Sequence, residues 1–367
     1  MKKTGQGDTY GRGTVFILEE ISMWSMSQLA FFNQTLKFVL KSQKDFAGMQ
    51  IVCLGDHAQL PPVVKDVHDA YDESCIFSEL MSGFSVFQLE TPHRQLSTEG
   101  SGSEEDIEGR QCTIAALHAM RNYDWDQNCF GLITYRRPNP ALEREDNVFD
   151  ALCITDDTPI IAYHNETVNH LNQLYLSRLS GEEVQIVPFF KAATPQQLEN
   201  WTLTVKPGCV IFFTRTIRPA GTAGKGFCAV NGTRGILESI EGPTTLSPDS
   251  HTHFYVTVDG YDHPMKFPCS ITKTGPFAKK QEVLEKSVPF RNGPAMTIHK
   301  SQGQTFDKGV IFTKGMRDLS LIYVAFSRFT NIMNATLVGP SIHPLMINVP
   351  DGRRRLDDRV RQLCEST

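Results

Sequence analysis

The sequence predicts an α/β protein with two parallel-sheet units and a small β-barrel set into the second. Three observations carry that prediction. First, the apolar run Val15-Phe-Ile-Leu18 ends in Glu19-Glu20 and is followed by a stretch of helical period and a second apolar run, Met49-Gln-Ile-Val-Cys-Leu54. Strand, helix, strand, with polar residues at the strand ends, is the pattern of a parallel sheet whose ligands gather at its carboxyl edge. Second, α/β character resumes near residue 151 and again at 294. Third, between about 203 and 275 the chain changes to short strands punctuated by Gly and Pro, the spacing of an inserted barrel.

In chain order, residues 1–13 are Gly-rich and polar, a loop. Val15 to Leu18 reads as a buried parallel strand with carboxylates at its edge. Met26, Leu29, Phe32, Leu36, Val39 and Leu40 recur at helical spacing within residues 25–44. The next strand, 49–54, breaks at Gly55-Asp56, and Pro61-Pro62 forbids regular structure beyond it. Phe84 to Leu89 is a third strand candidate. Residues 97–109 are acidic and without apolar period, which reads as a surface loop, and a helical stretch follows over 111–121. Ala151 to Thr155 opens the second unit, with a helix over 165–179. The inserted part holds the strands Cys209 to Phe213, Arg234 to Leu237 and His253 to Val258. Strands near 309–313 and 335–338 flank a helix over 319–328. The tail, Asp351 to Arg361, is rich in charge and reads as a helix or fray with a solvated face. The expected division is therefore 1–96, a connecting segment 97–150, a second α/β domain 151–202 plus 276–350, the insert 203–275, and the tail 351–367.

Composition excludes several classes. With 40% hydrophobic and 21% charged residues the chain has an ordinary soluble balance, and its net charge of −5 leaves any nucleic-acid site to a local basic groove. The first residues have no apolar core, so no secretory signal is expected, and no apolar run is long enough to span a bilayer. The nine cysteines are scattered without a C-x-x-C pair, which argues for reduced thiols in an intracellular protein. His251 and His253 lack further ligands at metal spacing and read as a solvated pair.

The stretch Thr297-Ile-His-Lys-Ser-Gln-Gly-Gln-Thr-Phe306 delivers a His, a Lys, hydroxyls and a Gly into a turn after a strand. Backbone N–H groups at such a turn bind an anion from one side, and Lys300 adds charge. Four other stretches complete a pattern with it: Phe16-Ile-Leu-Glu-Glu-Ile-Ser-Met23, Leu54-Gly-Asp-His-Ala-Gln-Leu-Pro-Pro-Val63, His93-Arg-Gln95 and Tyr323-Val-Ala-Phe-Ser-Arg328. Together, and in this order, they resemble the superfamily 1B DNA helicases of the Pif type and their RecD relatives, from about Val15 to Pro340. Val230-Asn-Gly-Thr-Arg-Gly-Ile236 resembles the stretch inside that family's SH3-like subdomain.

The resemblance implies two RecA-like domains, the first truncated, with an SH3-like barrel inserted in the second. It implies ATP and Mg²⁺ as cofactors, and single-stranded and forked duplex DNA as partners, with no membrane. Glu20 at a strand end would orient the water that attacks the γ-phosphate, and Glu19 would hold the Mg²⁺ shell. The family has Asp then Glu here, so Glu19 is one methylene longer than its counterpart. Gly55 and Asp56 would line the nucleotide, and Gln59 would sense the γ-phosphate, while His57 and Ala58 replace larger or aromatic residues. Arg94 and Arg328 are the candidate arginine fingers, one from each domain, brought together on closure. Gly303 would lie near the nucleotide, and Thr297, His299 and Lys300 would contact the DNA backbone. Phe254 and Tyr255 could stack on bases, but their alternation favours core packing.

One expected part is not in the sequence. No G-x-x-x-x-G-K-[ST] phosphate loop precedes the Glu-Glu strand. At Gly221-Thr-Ala-Gly-Lys-Gly226 the first Gly position is Pro219 and the hydroxyl position is Gly226. The expected protein is thus the C-terminal part of an ATP-dependent, 5′-to-3′ translocating DNA helicase, hydrolysing ATP poorly as it stands, with the strand face at Val15 to Leu18 left uncovered. Two alternatives stay open: an inactive single-stranded-DNA-binding module, and a subunit that takes its phosphate loop from another chain.

Overall fold

The computed structural model describes residues 14–64, 70–96, 103–123, 148–152, 154–155, 158–221, 227–274, 282–340, 342, 347 and 349–365. The phosphate-loop-like stretch at 222–226 and the loop residues 97–102 lie outside these. The chain divides into two compact units. The first comprises Met1–Arg136, Met316–Met333 and Ser341–Thr367, and the second Arg137–Gly315 and Asn334–Pro340.

In the first unit, strand β1 (Val15–Leu18) leads through a short 3-10 turn to helix α1 (Met26–Leu40), and β2 (Gln50–Cys53) then pairs parallel with β1. Helix α1 starts where Ser25 and Gln28 form a reciprocal capping box, each side chain accepting the other's backbone N–H. Its buried face, Leu29 and Leu36, packs into a core with Leu18, Ile21, Phe46, Tyr71 and Ile76. The strands are parallel as their apolar runs suggest, but they are not buried on both faces. Leu18 is buried, whereas Val15 is 44% and Ile17 60% exposed, and Val52 and Leu54 are exposed as well. A parallel sheet needs cover on two sides, and the described residues of this unit supply one.

Phe84 to Leu89 is not a strand. Phe84 and Val86 pack against the core, but the backbone pairs with neither β1 nor β2, and Phe87 and Leu89 are exposed. A short helix α2 (His93–Leu96) follows. The acidic stretch is also corrected, because helix α3 (Glu104–Asn122) begins inside it. Ser103 caps it by accepting the Asp106 N–H, and Glu104, Glu105 and Asp106 fill the first turn, where carboxylates complement the helix dipole.

The second unit holds a four-stranded all-parallel sheet in the order β9 (Ala295–Thr297), β3 (Ile160–Ala162), β10 (Gly309–Phe312), β11 (Ala335–Val338). Its first strand is Ile160–Ala162 rather than Ala151 to Thr155, where Val148–Ala151 is instead a helical turn. A five-stranded antiparallel sheet runs β7 (Met265–Pro268), β6 (His253–Val258), β5 (Arg234–Glu241), β4 (Val210–Phe213), β8 (Phe290–Asn292). Phe254, Val256 and Val258 alternate inward, so Phe254 is a core ring packed on Phe290. Tyr255 faces outward and donates to Glu241.

Helix α4 (Asn165–Arg178) is tied to the start of β9 by one side chain. The Asn172 amide donates to the Ala295 carbonyl at 3.1 Å and accepts the Ala295 N–H at 2.9 Å. Gly293, at φ +80°, passes so close that a Cβ there would meet Asn172 Oδ1 at 2.1 Å. These contacts set where the chain enters Thr297 to Lys300. Asn172→Leu strands the buried Ala295 N–H, while the Ala295 carbonyl keeps its bond from Arg291 Nη1, and is expected to cost about 2 kcal/mol. Urea unfolding should show a lower midpoint at unchanged slope.

Candidate active site

The turns that follow β1 and β2 pass in contact. Ile21 donates its N–H to the Leu54 carbonyl at 3.0 Å, and a Cβ on Gly55 would sit 2.8 Å from Ile21 N, so position 55 tolerates only glycine without a shift. This brings Glu20 and Asp56 to one edge of the sheet. Glu20 sits at φ 51°, ψ 47°, a left-handed conformation that costs a non-glycine residue of order 1 kcal/mol. Glu19 beside it is exposed.

Asp56 is held from three directions. Its carboxylate accepts the Ala58 N–H at 3.0 Å, Arg121 Nη1 from α3 at 2.8 Å, and the Tyr323 hydroxyl at 2.8 Å. Burial alone would raise its pKa. The Arg121 charge, the Tyr323 hydroxyl and the Ala58 N–H outweigh that and hold it below the ordinary carboxylate value. Gln59 follows on the same turn, its N–H bonded to the Asp56 carbonyl at 2.9 Å, and its side chain lines the site cavity.

Helix α5 (Leu319–Ser327) carries Tyr323 and ends at Arg328. It is buried on every side, in keeping with its largely apolar composition. Adjacent residues of α2 staple its C-terminal end. Arg94 Nη1 donates to the Ser327 carbonyl at 2.9 Å and Gln95 Nε2 to the Phe329 carbonyl at 3.1 Å, satisfying carbonyls that a helix end leaves open. Arg328, 2% exposed, folds back to donate to the Val324 carbonyl and Ser327 Oγ. The two guanidiniums therefore sit in one cluster. Burial lowers the pKa of Arg94, opposed by Tyr323 and Glu20. Burial and then the charge of Arg94 bring Arg328 down to about 10, opposed by Glu20, Tyr323 and Asp56.

A cavity of about 550 Å³ opens over this cluster, lined by Asp56, Gln59, Arg94, Arg121, Tyr323 and Arg328 among others. A larger groove, about 850 Å³, lies between α1 and the turn near Phe84, lined by apolar groups and the Lys37–Asp45 pair, and lacks such a convergence. Two desolvated cations in mutual repulsion, beside a carboxylate, make the smaller cavity a place for a polyanion. For a divalent metal the fit is limited to one or two carboxylates. Among the described residues no group of three or more His, Cys, Asp or Glu converges, so Glu19, with Glu20 beside it, would be the group to hold a cation there.

The expectation that Arg94 and Arg328 come from opposite domains and meet on closure is corrected. Met316–Met333 belongs with the first unit, and the Arg94 bond to Ser327 already sets the two side by side. The remaining candidates lie in the second unit. Thr297 is buried at the end of β9, whereas His299 and Lys300, in the 3-10 turn that follows, are exposed. Partial burial lowers both pKa values, and the charge of Arg291 lowers Lys300 further. Gly303 is exposed at φ +78°. Sequence reasoning missed Arg121, Tyr123 and Asp357. A buried carboxylate after a strand signals that some cation must meet it, but not which one.

The tail is a helix, one of its two expected forms, but its charged residues are not all solvated. Helix α6 (Asp351–Glu365) buries Gly352, Arg353, Leu356, Asp357 and Leu363. Asp357 accepts from Arg353 Nε at 3.2 Å, from the Tyr123 hydroxyl, and from His57 Nε2 at 3.0 Å. Burial would raise its pKa, but His57, Arg353 and Tyr123 hold it below the ordinary value. Depressed carboxylates contribute stability that is complete above their unfolded pKa, about 3.9, and lost as pH falls through the lower folded value. Unfolding free energy attributable to Asp56 and Asp357 should therefore be level above about pH 5 and fall below about pH 4. Urea titrations of wild type and Asp357→Asn at several pH values check this, because the variant should lose part of the acid slope.

The parallel sheets place the fold in the RecA-like α/β class. The PIF1-like helicase family profile matches residues 2–126. The ATP-dependent DNA helicase Pif1 of Psychrobacter sp. (strain PRwf-1) is 28% identical, over 95% of this chain and 56% of that protein. A crystal structure of the Bacteroides Pif1 helicase with ADP-AlF3 and single-stranded DNA superposes with a TM-score of 0.66 at 23% identity, covering 95% of this chain and 75% of that one. A structure described as the basis for unwinding at forked duplex DNA by two coordinating Pif1 helicases gives 0.64 at 22%, covering 95% and 74%. By these likenesses the chain resembles the Pif1 helicases in sequence and shares their fold, and it spans little more than half the length of that curated relative.

Proposed function

We propose that these residues are the hydrolysis-sensing and DNA-gripping part of an ATP-dependent DNA helicase that moves 5′ to 3′ on single-stranded DNA and opens forked duplexes. The observation that carries this reading is the pairing of Arg94 and Arg328 beside Glu20 over one cavity. Such forks neutralise charge that develops on a transferred phosphoryl group. In the proposed roles Glu20 orients water, Gln59 senses the terminal phosphate, and Asp56 holds the turn. Glu19 would hold Mg²⁺, which would supply positive charge to offset that of the phosphates. The relatives' names and the nucleotide and DNA in solved Pif1 complexes support the same reading.

His299 and Lys300 are proposed to touch DNA phosphates from the second unit, with Gly303 on the neighbouring turn. Binding should be independent of sequence and weaken steeply with salt. Fluorescence anisotropy with a labelled oligonucleotide at 50 to 200 mM salt tests it. Lys300→Ala should weaken binding at every sequence and reduce the log–log salt slope by about 1. No binding at low salt would overturn the DNA part of the reading.

A second reading is favoured by the exposed apolar face of Val15, Ile17, Val52 and Leu54. The phosphate loop is supplied by a segment beyond these residues, in the same polypeptide or in another chain that covers this face. ATPase activity appearing only when a phosphate-loop segment is joined or mixed in would support it. Full activity of the 367 residues alone would overturn it.

A further inference from the structure

Behind the turn that carries Gln59 stands a buried polar network that the proposed reaction does not use. Asp357 on α6 accepts from His57 Nε2 at 3.0 Å, and His57 adjoins Asp56 and lies two residues before Gln59. The same carboxylate accepts from the Tyr123 hydroxyl, at the end of α3, and from Arg353 one helical turn earlier on α6. Arg353, 1% exposed, also donates through Nη1 to Ser320 Oγ at 3.1 Å, in the first turn of α5. Tyr71 donates to that same Ser320 Oγ at 2.7 Å. One end of the network is therefore the turn of Asp56 and Gln59. The other is the start of the helix that presents Tyr323 and Arg328.

We propose that Asp357 is a positioning residue of the nucleotide site, and that through Asp357 and Arg353 helix α6 fixes the separation between the Gln59 turn and the arginine-bearing helix. This rests on the reading of the site given above. The physical case is that both ends are joined through charged, hydrogen-bonded groups shielded from water. Such bonds are directional, and leaving one partner unpaired is costly. A surface strap would use exposed pairs, as Arg355 and Asp72 do on the outer face of the same helix. Asp357 also meets Asp56 indirectly at two points. His57 is its sequence neighbour, and Tyr123 directly follows the helix that supplies Arg121.

The test uses the protein in a form that hydrolyses ATP, with the phosphate-loop segment joined or mixed in and single-stranded DNA saturating. Wild type is compared with Asp357→Asn, Asp357→Glu, His57→Ala and the His57→Ala/Asp357→Asn pair. Each is first shown to be folded at the assay temperature by circular dichroism. Asp357→Asn is expected to lower kcat about tenfold with KM for ATP within about twofold, since a misplaced group costs the chemical step more than binding. Asp357→Glu should recover most of the loss. The double variant should be no slower than the worse single, because both break one link. The His57 ring ¹⁵N signals should move in Asp357→Asn. Unchanged kcat, or losses that multiply in the double variant, would overturn the inference while leaving the reading of the site intact. A wild type that hydrolyses no ATP in that preparation would overturn both.

Discussion

Arg94→Ala is expected to slow ATP hydrolysis about a thousandfold, the lower end of what an arginine finger supplies, while changing nucleotide affinity little. Arg94 is the better of the two guanidiniums to remove. Arg328 is sealed against the end of its own helix, and its loss would open a buried hole, whereas Arg94 is half-buried and faces the cavity. Its bond to the Ser327 carbonyl is worth about 1 kcal/mol, and circular dichroism of the variant checks that it stays folded. Arg94→Lys should recover little, because an ammonium cannot reach that carbonyl and a phosphoryl oxygen with one planar fork. Steady-state hydrolysis with saturating DNA, alongside competition for a fluorescent ADP, separates the two effects. A fall of less than about tenfold with the fold intact would remove Arg94 from the reaction.

Asp56→Ala should be the most destabilising change at the site, by about 3 kcal/mol. It strands the Arg121 guanidinium and the Tyr323 hydroxyl, two donors that meet on one carboxylate inside the first unit. Breaking a buried pair from one side costs more than the pair itself is worth, and the partial exposure of Arg121 keeps the figure at the lower end of the usual range. Asp56→Asn should cost less, because the amide oxygen still accepts one of the two. Thermal melts of both variants, with Arg121→Met in the Asp56→Ala background, check this. The added change should recover part of the loss by removing the stranded cation.

How far the sequence could be read depended on whether a residue's partner was local. Val15–Leu18, Gly309–Phe312 and Ala335–Val338 are short apolar runs with polar or turn residues at one end or both, and their limits were legible within a residue or so. Phe84 to Leu89 is also rich in apolar residues but joins no sheet, and apolar content alone cannot make a strand. Glu104 to Asp106 look like loop residues because acids are read as solvated, although at a helix start they serve the dipole. The tail misled for a related reason. Two of its buried residues are Arg353 and Asp357, and a charge hidden by pairing leaves no trace in composition. In the site, Glu20, Gln59, Arg94 and Arg328 stood out because each lies in a short motif. Arg121 meets Asp56 from 65 residues away, and no local pattern points to it.

The left-handed backbone at Glu20 sets stability and activity against each other at one position. A glycine, or an asparagine with its tolerance for that region, would relax the turn after β1 and gain up to about 1 kcal/mol. A selection scored only on melting temperature would therefore favour losing the carboxylate there, and would return a sturdier protein without the group proposed to orient water.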